Sequence, residues 1–585
     1  MGTRRPSRRE FLTDASLLLA GGACALSHEA LGQDLQAAPV ANVAQGQRGV
    51  VASVHPLASQ AAIAAFERGG NAIDAAVAAS LMLSVVDGHN SGIGGGCLAL
   101  IRKSDGRVLA LDGREKAPAA ATPNMFYRDG QPDPNLSQIG PLAAGVPGLL
   151  AALERLSREH GDIAWNNALE NAAAVADDGF EISDNYAGVL ASVAQNLSKF
   201  PATAQVLLDE VGKPWPAGHR LRQADLAATL RQISQHGAKW FYQGPFANAC
   251  SDFLKQSGGL ITPADFANYN TVERRPVKTP YRENSVIGFP PPSSGGIHIA
   301  QMLGMLSAYD VKSIFAESTA AGLHLLLEVM KRAMADRAYW LGDADFAKVP
   351  LGLLDPAYLR QRAGSIELTR ATPVESHGQP PRADVDLFGQ QKHTTHLTTA
   401  DESGNVVAIT QTVNTSFGCK MIVPGTGVVL NNEMDDFSIA PGVRNAFGLV
   451  GSDANLVAPG KRPLSSMSPT LVLNEAGEPI LSCGAAGGPK IITTVLQVLV
   501  RVLDLGESVE QALAAPRVHH QWSPDRAVCE EAWPNEVLAE LSSLGHEIQR
   551  ISHAAVAQAL AREPNSGKLN AASDPRVPSA AMGIS

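Results

Sequence analysis

The sequence predicts an α/β chain whose helices pack closely on sheets, and three observations carry that expectation. From Ala58 to Val86 apolar residues recur at helical spacing, and the second half is almost wholly apolar, which places it in a core against a sheet. Two β-rich runs, Leu397 to Thr399 and Val406 to Thr410, flank a turn at Asp401 to Asn405. Glycine is abundant, at 54 residues, while aromatics make up only 5%, which favours close backbone approach and tight turns over large aromatic pockets.

The chain has 585 residues, 45% of them apolar, enough to bury a substantial core. Its net charge is −10, with no extended basic run after the first few residues. That balance argues against nucleic acid or an anionic membrane surface as partner and points to a small-molecule ligand. Six cysteines, at 24, 97, 250, 419, 483 and 529, form no CxxC pair. Those of the mature chain are expected to be buried free thiols, because a protein this long does not need disulfides to fold.

The N-terminus begins with a basic stretch, continues through a short apolar run from Leu17 to Leu26, and contains Ser7-Arg8-Arg9-Glu10-Phe11-Leu12. Paired arginines followed by an apolar residue match a twin-arginine export signal, here assigned to residues 1–33. The apolar run is too short to span a bilayer, so the expected destination is the periplasm or the medium. Within Ala58 to Val86 the break at Gly69-Gly70-Asn71 lets Asn71 cap a second helix. The loop Ser91 to Gly96 precedes a strand and no Lys-Ser/Thr follows it, so it reads as close backbone packing and not as a phosphate cradle. A strand-turn-strand from Leu98 to Leu111 leads into Asp112-Gly113-Arg114-Glu115.

Helical periodicity follows from Pro147 to His160 and from Trp165 to Asp178, and Thr262 caps a short helix. A strand from Ser285 to Gly288, a turn to Gly296 and an apolar helix from Ile297 to Tyr309 come next. Residues 369–391 lack periodicity and read as a loop. That loop ends just short of Thr394, the candidate nucleophile. A threonine hydroxyl needs a base close by, and a free α-amino group on the same residue can serve. Cleavage between His393 and Thr394 would create that amine at the start of a strand.

Thr394-Thr395-His396, Asn431 to Phe437, Lys461 to Thr470 and Gly487-Gly488, in that order, resemble the small subunit of the γ-glutamyltransferases. These are self-processing N-terminal-nucleophile hydrolases, and the resemblance runs from about Val50 to Arg576. It implies a four-layer αββα sandwich, a large subunit of residues 34–393 and a small catalytic subunit of residues 394–585. It implies acyl transfer from glutathione and other γ-glutamyl compounds to water, an amino acid or a peptide, with no cofactor. Residue by residue, it gives Thr412 as support for the nucleophile and Gly487 and Gly488 as the oxyanion pair. It assigns Asn414, Glu433 and Asp436 to the α-amino group, and Arg114, Ser465 and Ser466 to the α-carboxylate.

Pro441 to Gly451 resembles the family's lid loop, with Phe447 where lid-bearing relatives carry tyrosine, which removes a hydrogen-bonded latch to Asn414. Ala485-Ala486 replaces a Ser-Pro pair frequent before the two glycines. The alternative is a cephalosporin acylase of the glutaryl type, since a glutaryl group is a γ-glutamyl group lacking its ammonium. A metal site at His393 with His396, or at His519-His520, fits no familiar zinc spacing.

Overall fold

Alternate residues of the central strands sort into two different cores, and this sorting builds the molecule. The computed structural model describes residues 41–381, 395–440, 442–563 and 566–585. The segment read as a signal, the scissile pair His393 and Thr394, most of the approach to it and Pro441 lie outside the described residues. Two seven-stranded sheets dominate. In spatial order the first is Asn42–Gly46, Leu569–Ser573, Val556–Arg562, Pro479–Ala486, Thr470–Leu473, Asn284–Gly288 and Val277–Tyr281. The second is Ala580–Ile584, Gly49–Ser53, Thr395–Asp401, Val406–Thr412, Gly96–Arg102, Val108–Gly113 and Val272–Arg274. Every pairing within both is antiparallel.

Leu98 and Leu100 face inward with Val50, Ala408, Ile287, Leu471 and Leu560, making an apolar seam between the sheets. Cys97, Ala99 and Ile101, the intervening residues, face outward and join a core with the helices Pro56–Glu67 and Ala72–Val86. On the far side Val472, Leu481, Cys483 and Ala559 pack against the helices Gly295–Leu306, Thr319–Trp340 and Lys490–Leu503. Period-two alternation thus yields three interfaces and four layers, the αββα sandwich. Each buried Leu or Val contributes roughly 1.5–3 kcal/mol, which is why the strands hold this register against a one-residue slip.

Local chemistry sets the element ends. Asn71 and Asp74 form a reciprocal capping box, and every residue of Ala72–Val86 is buried. Thr262 caps its short helix through Asp265 in the same way. The expected hairpin is present, with strands Thr395–Asp401 and Val406–Thr412 lying centrally and buried along their whole length. Asp401 closes the turn by accepting from the Asn405 N–H at 3.0 Å and from its Nδ2 at 2.8 Å. Gly94 and Gly95 bring the 91–96 loop against its neighbours: a Cβ at Gly95 would stand 1.7 Å from the Thr412 carbonyl oxygen. Residues 369–381 form neither helix nor strand, as their composition suggests. The five described cysteines are buried free thiols.

Candidate active site

The strand that opens at Thr395 pairs Thr395 with Gln411, so Thr412 sits one position beyond that pair, opposite Gly96 of the next strand. Thr412 Oγ1 accepts from the Asn414 N–H at 2.7 Å. Asn414 has φ of 78°, a left-handed geometry that asparagine tolerates, and its Nδ2 donates to the Asn432 carbonyl at 2.8 Å. This links the strand end to the short helical turn Glu433–Asp436. His396, with Nδ1 2.9 Å from Thr410 Oγ1, is fully buried, and burial pushes its pKa down to about 3, so it is a neutral packing residue.

Arg114 is buried completely and surrounded by acids. Its Nη1 lies 2.6 Å from Glu433 Oε2 and 3.2 Å from Glu115 Oε2, and its Nη2 donates to Asp436 Oδ2 at 2.7 Å. Strand Val108–Gly113 delivers it, and the Tyr269 hydroxyl holds its carbonyl at 2.7 Å. Burial works against the guanidinium charge, but Glu433, Glu115 and Asp436 outweigh it and hold the pKa above the usual range. Burial pushes Glu115 up to about 7, opposed by Arg114, and raises Glu433 well above the carboxylate range. The two ends of the expected ammonium and carboxylate site therefore lie in mutual contact, one cluster where the sequence suggested two poles.

Ser465 and Ser466 stand on a turn locked to the Pro290-to-Gly296 segment. Ser294 donates to the Ser465 carbonyl from its N–H at 2.9 Å and from its hydroxyl at 2.7 Å, while Ser465 N–H donates to the Pro292 carbonyl at 3.1 Å. The segment read as a plain turn is thus the scaffold of the serine pair. Gly487 and Gly488 precede the helix Lys490–Leu503 with φ of 141° and 65°, both in the region that favours glycine. A Cβ at Gly487 would meet Ala555 at 2.8 Å. In the 441–451 loop the Ala446 N–H donates to Asp435 Oδ2 at 3.0 Å, and Phe447 packs at the edge of the outer core.

Gly487 and Thr395 also border a cavity of about 300 Å³ lined by Asp87, His89, Tyr186 and His553. Asp87 accepts from the Thr395 hydroxyl and from Asn90 Nδ2, and burial pushes its pKa up to about 7. Neither Asp87, Glu115 as a third acid on Arg114, nor Ser294 was singled out from the sequence. The Arg-Glu pairing at 114–115 was the visible signal for Glu115, whereas Asp87 had none. His519 bonds Thr493 Oγ1 at 2.9 Å and His520 bonds Asp525 at 3.1 Å. Among the described residues no three His, Cys, Asp or Glu side chains converge as metal ligands.

Comparison with known proteins bears on what this geometry serves. The sequence model of the family described as Gamma-glutamyltranspeptidase matches residues 58–584. The glutathione hydrolase proenzyme of Escherichia coli strain K12 is 40% identical over 534 residues, covering 91% of each chain. The acylase ACY 1 proenzyme of Pseudomonas sp. strain SE83 is 38% identical over 518 residues, covering 87% of this chain and 88% of that one. Among solved structures, cephalosporin acylase from Bacillus halodurans superposes with a TM-score of 0.82 at 26% identity, covering 93% of this chain and 97% of that one.

Proposed function

This chain belongs to the gamma-glutamyltranspeptidase family, and we propose that Thr394, freed by cleavage after His393, is the nucleophile of its γ-glutamyl transfer and hydrolysis. In processing, Thr394 Oγ attacks the His393 carbonyl. The amide becomes an ester, and water then cleaves it, leaving a large part of residues 34–393 and a small part of residues 394–585. In turnover the Thr394 α-amine takes the hydroxyl proton as Oγ attacks the γ-carbonyl. The C–N bond breaks, and the leaving amine departs with that proton. Water or an acceptor amine then attacks the acyl-enzyme, giving up a proton to the α-amine, and Oγ leaves reprotonated. The Gly487 and Gly488 N–H groups stabilise the oxyanion in both steps, and Thr412 supports the nucleophile.

The observation that carries this reading is the buried Arg114, Glu433 and Asp436 cluster, joined through Asn432 and Asn414 to Thr412 beside the strand start. Opposite charges held together in one buried place suit an amino-acid head group. Glutathione is the substrate that the name of the Escherichia coli relative suggests. The second reading, a glutaryl acylase, rests on the Pseudomonas relative and the Bacillus structure. A glutaryl group has no ammonium for Glu433 and Asp436 to bind, and the two readings part there. Residues 7–12 support export through the twin-arginine route, to the periplasm or the medium. Among the described residues no helix is long and apolar enough to cross a membrane.

The test is intact mass of wild type and Thr394→Ala, followed by turnover of γ-glutamyl-p-nitroanilide beside its glutaryl analogue. Two fragments meeting at His393 and Thr394 in wild type, one chain in the variant and preference for the γ-glutamyl compound are expected. A glutaryl preference would transfer the assignment to the acylase, and an intact, inactive wild-type chain would refute both.

A further inference from the structure

Among the described residues three arginines, at 114, 337 and 517, are the largest fully buried side chains, and two of them are paired. Arg114 has its three carboxylates, and Arg517 has Asp574 at 2.8 Å. Arg337, in the helix Thr319–Trp340, has no carboxylate within ion-pairing distance among the described residues. Its Nη1 and Nη2 are buried without a hydrogen-bond partner among the described residues. Leaving a guanidinium so placed is strongly unfavourable, and burial accordingly draws its pKa below the usual range, with only the field of Asp436 opposing.

Its position shows what would compensate it. Nε donates to Ser294 Oγ at 3.2 Å, and the same Ser294 holds the Ser465 carbonyl, so the guanidinium is moored to the turn that presents Ser465 and Ser466. Ser466 Oγ is likewise buried without a hydrogen-bond partner among the described residues. Asp436, paired with Arg114, is also the acid whose field reaches Arg337. Two guanidinium N–H donors, with a further hydroxyl on the turn to which the guanidinium is moored, all unsatisfied among the described residues, suit a carboxylate. Arg114, held by Glu433 and Asp436, is the less available of the two cations.

We propose that Arg337 is a second guanidinium of the donor site, receiving the α-carboxylate of the γ-glutamyl group through Nη1 and Nη2 next to the serine turn that Ser294 moors. This rests on the γ-glutamyl reading above and adds a specificity-determining residue to it. The test compares processed wild type, Arg337→Gln and Arg337→Lys on γ-glutamyl-p-nitroanilide and on 4-aminobutyryl-p-nitroanilide, which keeps the chain and the amine but lacks the carboxylate. Competition by free L-glutamate against 4-aminobutyrate makes the same comparison by inhibition.

Arg337→Gln is expected to raise KM for the γ-glutamyl compound, and the inhibition constant of glutamate, by about tenfold or more, with kcat held within about threefold. The 4-aminobutyryl compound and 4-aminobutyrate should change by less than about threefold, and Arg337→Lys should recover part of the loss. Equal losses for ligands with and without the carboxylate, unchanged γ-glutamyl kinetics, or failure of both variants to fold and self-process would overturn the proposal. Wild type inert toward the γ-glutamyl compound would instead sink the functional reading on which it rests.

Discussion

At the scale of single residues, the site is governed by charges that burial would expel unless each had a partner. Replacing Arg114 with alanine would leave Glu433, Glu115 and Asp436 without their cation, at about 3–5 kcal/mol in stability, so activity lost in that variant would report folding as much as binding. Arg114→Lys separates the two. It keeps a charge but not the fork, and we expect near-normal self-cleavage with KM for γ-glutamyl-p-nitroanilide raised about 10–100-fold, read by steady-state kinetics. Asp87 supplies a second check, on stability. Burial raises its pKa to about 7 in the fold, so the folded state holds this proton more tightly than the unfolded chain does. Its contribution is full below the ordinary carboxylate pKa and is lost as pH rises toward 7. Asp87→Asn should therefore flatten the decline in thermal midpoint between about pH 4 and 7 and gain on wild type at pH 8. A decline as steep in the variant as in wild type would contradict this.

At the scale of elements, the hairpin Thr395–Asp401 and Val406–Thr412 and the glycine loop before Gly96 act as one unit, because the loop's backbone lies against the hairpin's last residue. A methyl group at Gly95 would overlap the Thr412 carbonyl. Gly95→Ala should therefore displace Thr412 or the loop, with little processed enzyme recovered, whereas Gly106→Ala, in a turn open to solvent but with φ of 86°, should cost only about 1 kcal/mol and process normally. A denaturing gel of both variants reads the difference. These elements were legible in sequence because turn residues and β-branched runs mark them locally. The scaffold role of Ser294 was not, since it depends on a contact with Ser465, 171 residues away.

At the scale of the whole molecule, both sheets mix strands from the two sides of residue 394. The first takes Asn42–Gly46, Val277–Tyr281 and Asn284–Gly288 from before it and four strands from after it. The second holds Thr395–Asp401 between Gly49–Ser53 and Val406–Thr412. Cleavage would cut the chain without separating its halves, because parting them would strip hydrogen-bonded edges and the apolar seam together. Native mass measurement should find the processed fragments together, and coming apart should coincide with unfolding in denaturant. Fragments that separate under native conditions would contradict this.

The sequence by itself determined the α/β class, the hairpin, the caps and the order of the chemistry-bearing stretches, because periodicity, turn residues and short motifs act between near neighbours; the four layers came only from the family resemblance those stretches carry. Only the tertiary structure decided that Arg114 meets three acids, that Asp87 touches Thr395 and that Arg337 lies buried, bonded to Ser294 and without a carboxylate partner among the described residues. Those facts arise from strands and helices far apart in the chain, where burial removes the water that would otherwise satisfy each charge.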